Sequence, residues 1–378
     1  MPKKMNIIDK LHQEFVINRV RTPFSGGGAA HLSDSHPLVV ELDTTEVCNL
    51  ACPGCISEDL VSNATSFSNA RLLEIGRELY DFGVKAVILI GGGEPLAHPA
   101  VGELIKFLGT HDINIGITTN GFFIPRYLNE IAEYASWTRI SMDAATSETF
   151  FKLRPGKDGK SKFEEIISAM KDLAKIKKGK LGFSYLIRTE ADGFGITSNI
   201  HEIYNAAVLA KNIGCDYFEV KPSYEYTGGI AHALVRHSPE RMQEAKKEIA
   251  RLHEVETDNF KVITAINLTD SLNCVETPQK KDYHFCPAAY LRTLICPSGV
   301  FVCPYWRGKE NFRVGDAKKD SIQDIWKSER RKKIMAELDP VKKCNFHCLR
   351  NETNKEIIRL MNMNPEEIKI IPEYDRFI

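Results

Sequence analysis

The chain has 378 residues, 43% hydrophobic and 26% charged, the balance of a globular protein long enough for one large domain and an appendage. Lys+Arg and Asp+Glu both number 50, so no net field draws the chain toward nucleic acid, and apolar runs such as 86–90 stop far short of a membrane span. The opening 15 residues lack the apolar stretch of a signal peptide, so a cytoplasmic protein is expected, with neither nucleic acid nor membrane as partner.

In chain order, residues 1–37, with Gly26-Gly27-Gly28, read as an extension and flexible connection. From 38 to 266, short β-branched runs alternate with amphipathic stretches. Strands are expected at 38–43, 84–90, 113–118, 138–143, 181–188, 217–221 and, weakly, 260–266, with helical patterns at 69–82, 101–109, 125–135, 162–176, 199–213 and 239–254. Such alternation predicts an α/β fold with a parallel sheet, doubly wound or barrel-like. Six or so βα units give a partial (β/α)6 TIM-like barrel rather than a complete one. Residues 267–378 change character. They are turn-rich and cysteine-rich, with a hairpin expected around Pro297-Ser298-Gly299 and a helix at 320–337, and read as a small domain stapled by metal.

Ten cysteines need an account, and in a reducing compartment metal ligation or catalysis is a better one than disulfides. Three fall in 48–55, five in 286–348, and only Cys215 and Cys274 between. Cys48-Asn-Leu-Ala-Cys52-Pro-Gly-Cys55 follows the first strand, at the end where a βα enzyme carries its chemistry. Three soft thiolates on one loop suit an iron–sulfur cluster with one open iron; a zinc knuckle or a redox pair of Cys52 and Cys55 is the alternative. Zinc would want a fourth ligand nearby, and a redox pair leaves Cys48 unexplained.

This spacing, with the motifs downstream, resembles the radical S-adenosylmethionine (SAM) superfamily over residues 38–266. Gly91-Gly92-Gly93-Glu94-Pro95 is similar to the motif that meets the methionyl amino group of SAM: glycines admit the ligand and Glu94 faces the ammonium. Thr118-Thr119-Asn120-Gly121 and Ser141-Met142-Asp143 end the third and fourth strands, where the family places polar groups near SAM. The resemblance thus implies Gly92, Gly93, Glu94, Asn120, Ser141, Asp143 and Arg188 as cofactor-binding residues. Alternation puts Arg139, Ser141 and Asp143 on one face, with Ser184 and Arg188, and Tyr217, Glu219 and Lys221, on the neighbouring strands. Singly each is as readily a hydrogen-bonded core group; together they suggest a ligand-filled interior, with Glu219 and Lys221 at the substrate. One departure stands out. Many members carry an aromatic residue just before the third cysteine, beside the adenine, and this chain has Gly54.

The second cysteine group resembles the twitch or SPASM appendage of the family, including Arg313-Val-Gly-Asp316. Cys286, Cys303, Cys344 and Cys348 are the expected ligands of one auxiliary 4Fe–4S cluster, with Cys296 the substitute for Cys286 and a zinc ribbon the alternative. Cys215 reads as core, Arg330-Arg331-Lys332-Lys333 as a solvated face, and Cys274 as a thiol able to donate a hydrogen atom to a substrate radical. The resemblance implies a SAM-bound 4Fe–4S cluster, SAM itself and an external electron donor of flavodoxin or ferredoxin type. Because only 47 residues precede Cys48, too few for the peptide-binding module many relatives carry, a small polar substrate (sugar, cyclitol or nucleoside) is expected, oxidised as in the similar cyclitol dehydrogenases or epimerised. A peptide or protein maturase is the second reading, and a non-enzymatic zinc or iron–sulfur module the third.

Overall fold

Runs of buried Val, Ile, Leu and Phe too short for helices become strands, and their order in the sheet follows the chain. The strands are β1 (Val39–Leu42), β2 (Ala86–Leu89), β3 (Asn114–Thr119), β4 (Ala135–Ser141), β5 (Lys180–Leu186), β6 (Tyr217–Lys221), β7 (Tyr224–Thr227), β8 (Ile230–Leu234), β9 (Lys261–Thr264), β10 (Arg292–Cys296), β11 (Gly299–Phe301) and β12 (Arg313–Gly315). The computed structural model describes residues 7–21, 35–195, 198–227, 230–265, 267–274 and 280–378; the triplet Gly26–28 lies outside them. One sheet runs β12-β11-β10-β1-β2-β3-β4-β5-β6-β9, with every pair from β10 to β9 parallel and the β10-β11-β12 end antiparallel. The fold is the expected α/β partial TIM-like barrel.

The crossover helices follow their sequence signals. Helix Asn69–Asp81 is capped by Ser68, whose side chain accepts from the Arg71 N–H, and buries Leu72, Ile75 and Leu79 at helical spacing. Two expectations are revised. The helix at 320–337 is two, Ile322–Lys327 and Glu329–Glu337, because Ser328 adopts extended backbone to end the first and cap the second. In the basic run Arg331 is only 2% exposed, its guanidinium 3.5 Å above the Trp326 ring, and burial pushes its pKa down to about 10. Arg330 and Lys332 do face solvent, paired with Glu310 and Glu329.

Parallel pairing of β10 with β1 joins the cysteine-rich region to the barrel, Val39 opposite Arg292 and Leu42 opposite Ile295, so the sheet runs on through the boundary expected at 266/267. Helices Ile7–Leu11 and Glu14–Arg21 pack on helix Asn351–Asn362, and the Gln13 side chain accepts from the Tyr374 and Asp375 N–H groups.

Large side chains fill the barrel floor. Trp137 occupies the space over Gly116, Tyr217 that over Gly182, and Phe377 meets the Trp137 ring edge-on, centroids 5.4 Å apart. Phe377→Ala removes a mostly buried ring at that floor, and should cost about 3 kcal/mol of stability, read as a lowered denaturation midpoint. These bulky rings close the end where the strands begin, which leaves the opposite end, at the strand carboxyl termini, for ligands.

Candidate functional site

β1 runs directly into the first cysteine loop, and that loop is braced from two sides. The Glu94 N–H donates to the Val47 carbonyl (2.8 Å), and Gly93 lies so close to the Glu46–Val47 backbone that any side chain would collide with it. This is why a glycine stands there. From the other side the Ala51 N–H donates to the Pro155 carbonyl (2.8 Å) and the Lys157 N–H to the Asn49 carbonyl (3.0 Å). Burial, with charge on Glu94, Cys52 and Cys55 adding to it, pushes the Cys48 thiol up to about 12, so the three sulfurs are near enough to repel one another as thiolates. Such a loop favours a bound cation that withdraws the protons. Arg154 answers part of that charge: its Nη1 lies 3.9 Å from the Cys52 sulfur, while Nε donates to Asp143 Oδ2 at 2.9 Å. Residues 154–157 were not singled out in the sequence, since nothing local marks an arginine a hundred residues from the cysteine it meets.

The predicted SAM residues gather above this loop. Glu94 is buried and accepts from Thr119 Oγ1 (2.5 Å), the Asn120 N–H (2.8 Å) and the Leu96 N–H (3.0 Å). Asn120 Nδ2 donates to Asn49 Oδ1 (2.8 Å), tying the third strand's end to the cysteine loop. Gly92 faces the Asp43 carboxylate and Glu46. Asp143 has a left-handed backbone (φ +58°) and accepts from the Leu186 N–H (2.7 Å) as well as from Arg154.

Register aligns Ser141, Ser184 and Glu219 across β4, β5 and β6, and places Lys221 opposite Leu186. Arg139 Nη1 donates to Glu219 Oε2 (3.0 Å), and Lys221 Nζ is 3.8 Å from the same oxygen. Burial would raise Glu219, but Arg139 and Lys221 hold it below the usual carboxylate range; burial and Arg139 push Lys221 down to about 8. Arg188 is buried, its Nε donating to Asp192. Cys274 is not drawn into this group: it is exposed, at φ +52°, its Sγ 3.9 Å from the His237 carbonyl.

Cys286, Cys303, Cys344 and Cys348 line one largely apolar cavity together with Lys281, Trp306, Phe346, Arg350 and Asn354. Among the described residues no three His, Cys, Asp or Glu side chains close on a point as they would around a single ion; the four thiols ring a space instead. Asn354 Nδ2 lies 3.5 Å from the Cys286 sulfur and the Arg350 N–H 3.4 Å from that of Cys348, donors suited to thiolates. Burial raises all four thiols, Cys286 to about 11 and Cys344 to about 12, so an iron–sulfur cluster would have to expel their protons. Cys296 is elsewhere, buried in the hairpin with its thiol 3.2 Å from the Gly299 carbonyl, and Cys215 is in the core. Carboxylates of β1 and its end clamp this region. Glu41 accepts from Arg292 (2.7 Å) and Arg350 (2.8 Å), and Asp43 from Arg307 (3.0 Å). Each arginine belongs to a segment that carries an auxiliary cysteine or flanks one.

Comparison with known proteins matches residues 42–193 to the radical SAM superfamily and 286–349 to the SPASM iron–sulfur cluster-binding domain. The mycofactocin maturase MftC of Mycobacterium tuberculosis is 25% identical over 300 residues, 77% of this chain and 71% of that protein. GTP 3′,8-cyclase of Chlorobaculum tepidum is 29% identical but over 35% of this chain and 39% of that one. Among solved structures, Streptococcus suis SuiB bound to the precursor peptide SuiA superposes with TM-score 0.56 at 17% identity, over 79% of this chain and 66% of SuiB. The enzyme anSMEcpe with bound SAM and a peptide gives 0.55 at 14%, over 86% and 98%. The expected small polar substrate is thereby corrected. MftC, matched over 77% of this chain, is a maturase, and SuiB and anSMEcpe were each solved with a peptide bound. The expectation had rested on the number of residues before Cys48, which bears on how a peptide is tethered and not on what the barrel admits. No helix among the described residues is long and apolar enough to cross a membrane. The chain is a radical SAM enzyme with a C-terminal SPASM-type domain, and its cofactors are SAM and 4Fe–4S clusters.

Proposed function

We propose that this enzyme is a peptide maturase that modifies a residue of a precursor peptide by hydrogen abstraction. The observation that carries this is the match to a maturase over most of both chains. When bound, the cluster on Cys48, Cys52 and Cys55 and its SAM supply a 5′-deoxyadenosyl radical. This chain's residues do the rest. Glu94 holds the methionyl ammonium, with Gly92 and Gly93 keeping its path clear. Arg154, Asn120, Ser141 and Asp143 fix the loop and the cofactor's polar edge. Glu219 and Lys221, opposite charges in the upper lumen, orient a peptide group for attack, and the apolar floor keeps water from beneath. Cys286, Cys303, Cys344 and Cys348 are assigned to the auxiliary cluster. Anaerobic co-expression with a short peptide encoded beside the chain's gene tests the reading. A change in peptide mass that Cys52→Ala abolishes supports it; an unchanged peptide, with 5′-deoxyadenosine formation coupled instead to a sugar or nucleoside, overturns it.

Glu94 predicts a pH dependence. Burial outweighs its three donors and raises its pKa from 4.5 to about 7, so the folded apo protein holds a proton that the unfolded chain has lost between those values. This stabilises the apo fold at low pH, and the contribution is lost as pH rises toward 7. Pairing with the ammonium needs the carboxylate, so SAM binding expels the proton. Affinity should rise by up to about ten-fold per pH unit below 7 and level off above it. Equilibrium binding between pH 6 and 8 checks this, with Glu94→Gln expected to weaken binding and flatten the profile.

A further inference from the structure

Gly54 lacks the aromatic side chain expected before Cys55, yet an aromatic ring is present at that place. Its backbone is left-handed (φ +66°), where a bulky residue would be strained, and the ring of Phe194 fills the space a Cβ on Gly54 would take. Phe194 arrives from the loop after β5, 140 positions along the chain. It is flanked by Gly193 and Gly195, both at positive φ and both with open space around them. The base of the loop is fixed: Thr189 Oγ1 is 2.8 Å from His237 Nδ1, Ser223 Oγ donates to Asp192 Oδ1 at 2.8 Å, and Asp192 accepts from Arg188 Nε. One side of the ring is seated on the cysteine loop, and the residue remains 41% exposed. The Arg188 guanidinium lies 5.6 Å from the ring centroid, and its Nη2 is buried with no hydrogen-bond partner.

An exposed apolar ring beside a buried, unsatisfied donor is costly in an empty site, and a flat aromatic ligand with acceptor nitrogens at its edge would relieve both. The Phe194 ring rests against Gly54, next to Cys55, so a SAM held at a cluster on Cys48, Cys52 and Cys55 would have this ring beside it. We infer that Phe194 is the adenine platform of this enzyme, stacking on the base in place of a side chain at position 54, with Arg188 Nη2 donating to the base or its ribose. The inference rests on the radical SAM reading and adds a binding residue that no motif marks.

Titration calorimetry of the anaerobically reconstituted enzyme with S-adenosylmethionine, S-adenosylhomocysteine and methionine tests it. Phe194→Ala should weaken both adenosyl ligands by about ten-fold or more, leave methionine binding unchanged, and keep the wild-type iron content; Phe194→Trp should restore the affinity. Unchanged adenosyl binding in Phe194→Ala would overturn the inference, as would an equal loss for methionine, which marks a collapsed loop. Wild-type enzyme that bound none of the three would instead sink the radical SAM reading itself.

Discussion

Cys52→Ala, reconstituted anaerobically with iron and sulfide, should retain about four of about eight irons and lose 5′-deoxyadenosine formation at least about a thousand-fold. The size of the effect follows from where the chemistry resides: the protein positions a reactive group it does not itself contain. Cys52 is also the sulfur that Arg154 meets at 3.9 Å, so the substitution leaves a buried guanidinium with only Asp143 as partner. Some loss of loop order should accompany the loss of the cluster. Iron analysis paired with product chromatography separates the two regions: retained auxiliary iron with no 5′-deoxyadenosine places the fault in the first loop alone. Full activity with four irons would mean that the triad is not the SAM-binding site.

Glu41→Ala should destabilise the protein by about 3–5 kcal/mol, the range for breaking a buried ion pair from one side. Glu41 is 5% exposed and is shared by Arg292 and Arg350, so its removal strands two guanidiniums between β1 and the auxiliary cavity. Glu41→Gln keeps an acceptor and should cost less. Denaturation midpoints of the two variants check the order. Because Arg350 follows Cys348 and Arg292 opens β10, Glu41→Ala should also lower auxiliary iron while sparing the first cluster. Equal stability of both variants with the wild type would show that the clamp contributes nothing.

What the sequence disclosed was what local pattern carries. Short β-branched runs alternating with amphipathic stretches placed seven parallel strands within a few residues, and the cysteine spacing placed the first loop at the end of β1. The β7–β8 hairpin, Tyr224–Thr227 and Ile230–Leu234 joined by two glycines, is a short alternation overshadowed by the stronger helical pattern that follows. Other features had no local signature. Residues 292–296 read as one strand of a hairpin; their parallel pairing with β1, some 250 residues earlier, is a tertiary choice that no period encodes. Arg154, Phe194 and the Glu41 clamp are likewise contacts between distant segments. Arg331 misled because its charge matched its neighbours, while Trp326 five residues before it supplied a buried face. The substrate was misread for a different reason: fold and cofactor fix the radical, and the molecule it attacks is set by side chains whose identities follow no motif.

The most direct test is anaerobic incubation of the reconstituted wild-type enzyme with SAM and dithionite, with iron, acid-labile sulfide, zinc and 5′-deoxyadenosine measured on the same sample. About eight irons per chain, with methionine and 5′-deoxyadenosine formed in equal amounts, is the predicted result. Stoichiometric zinc in the cysteine sites and intact SAM would contradict it.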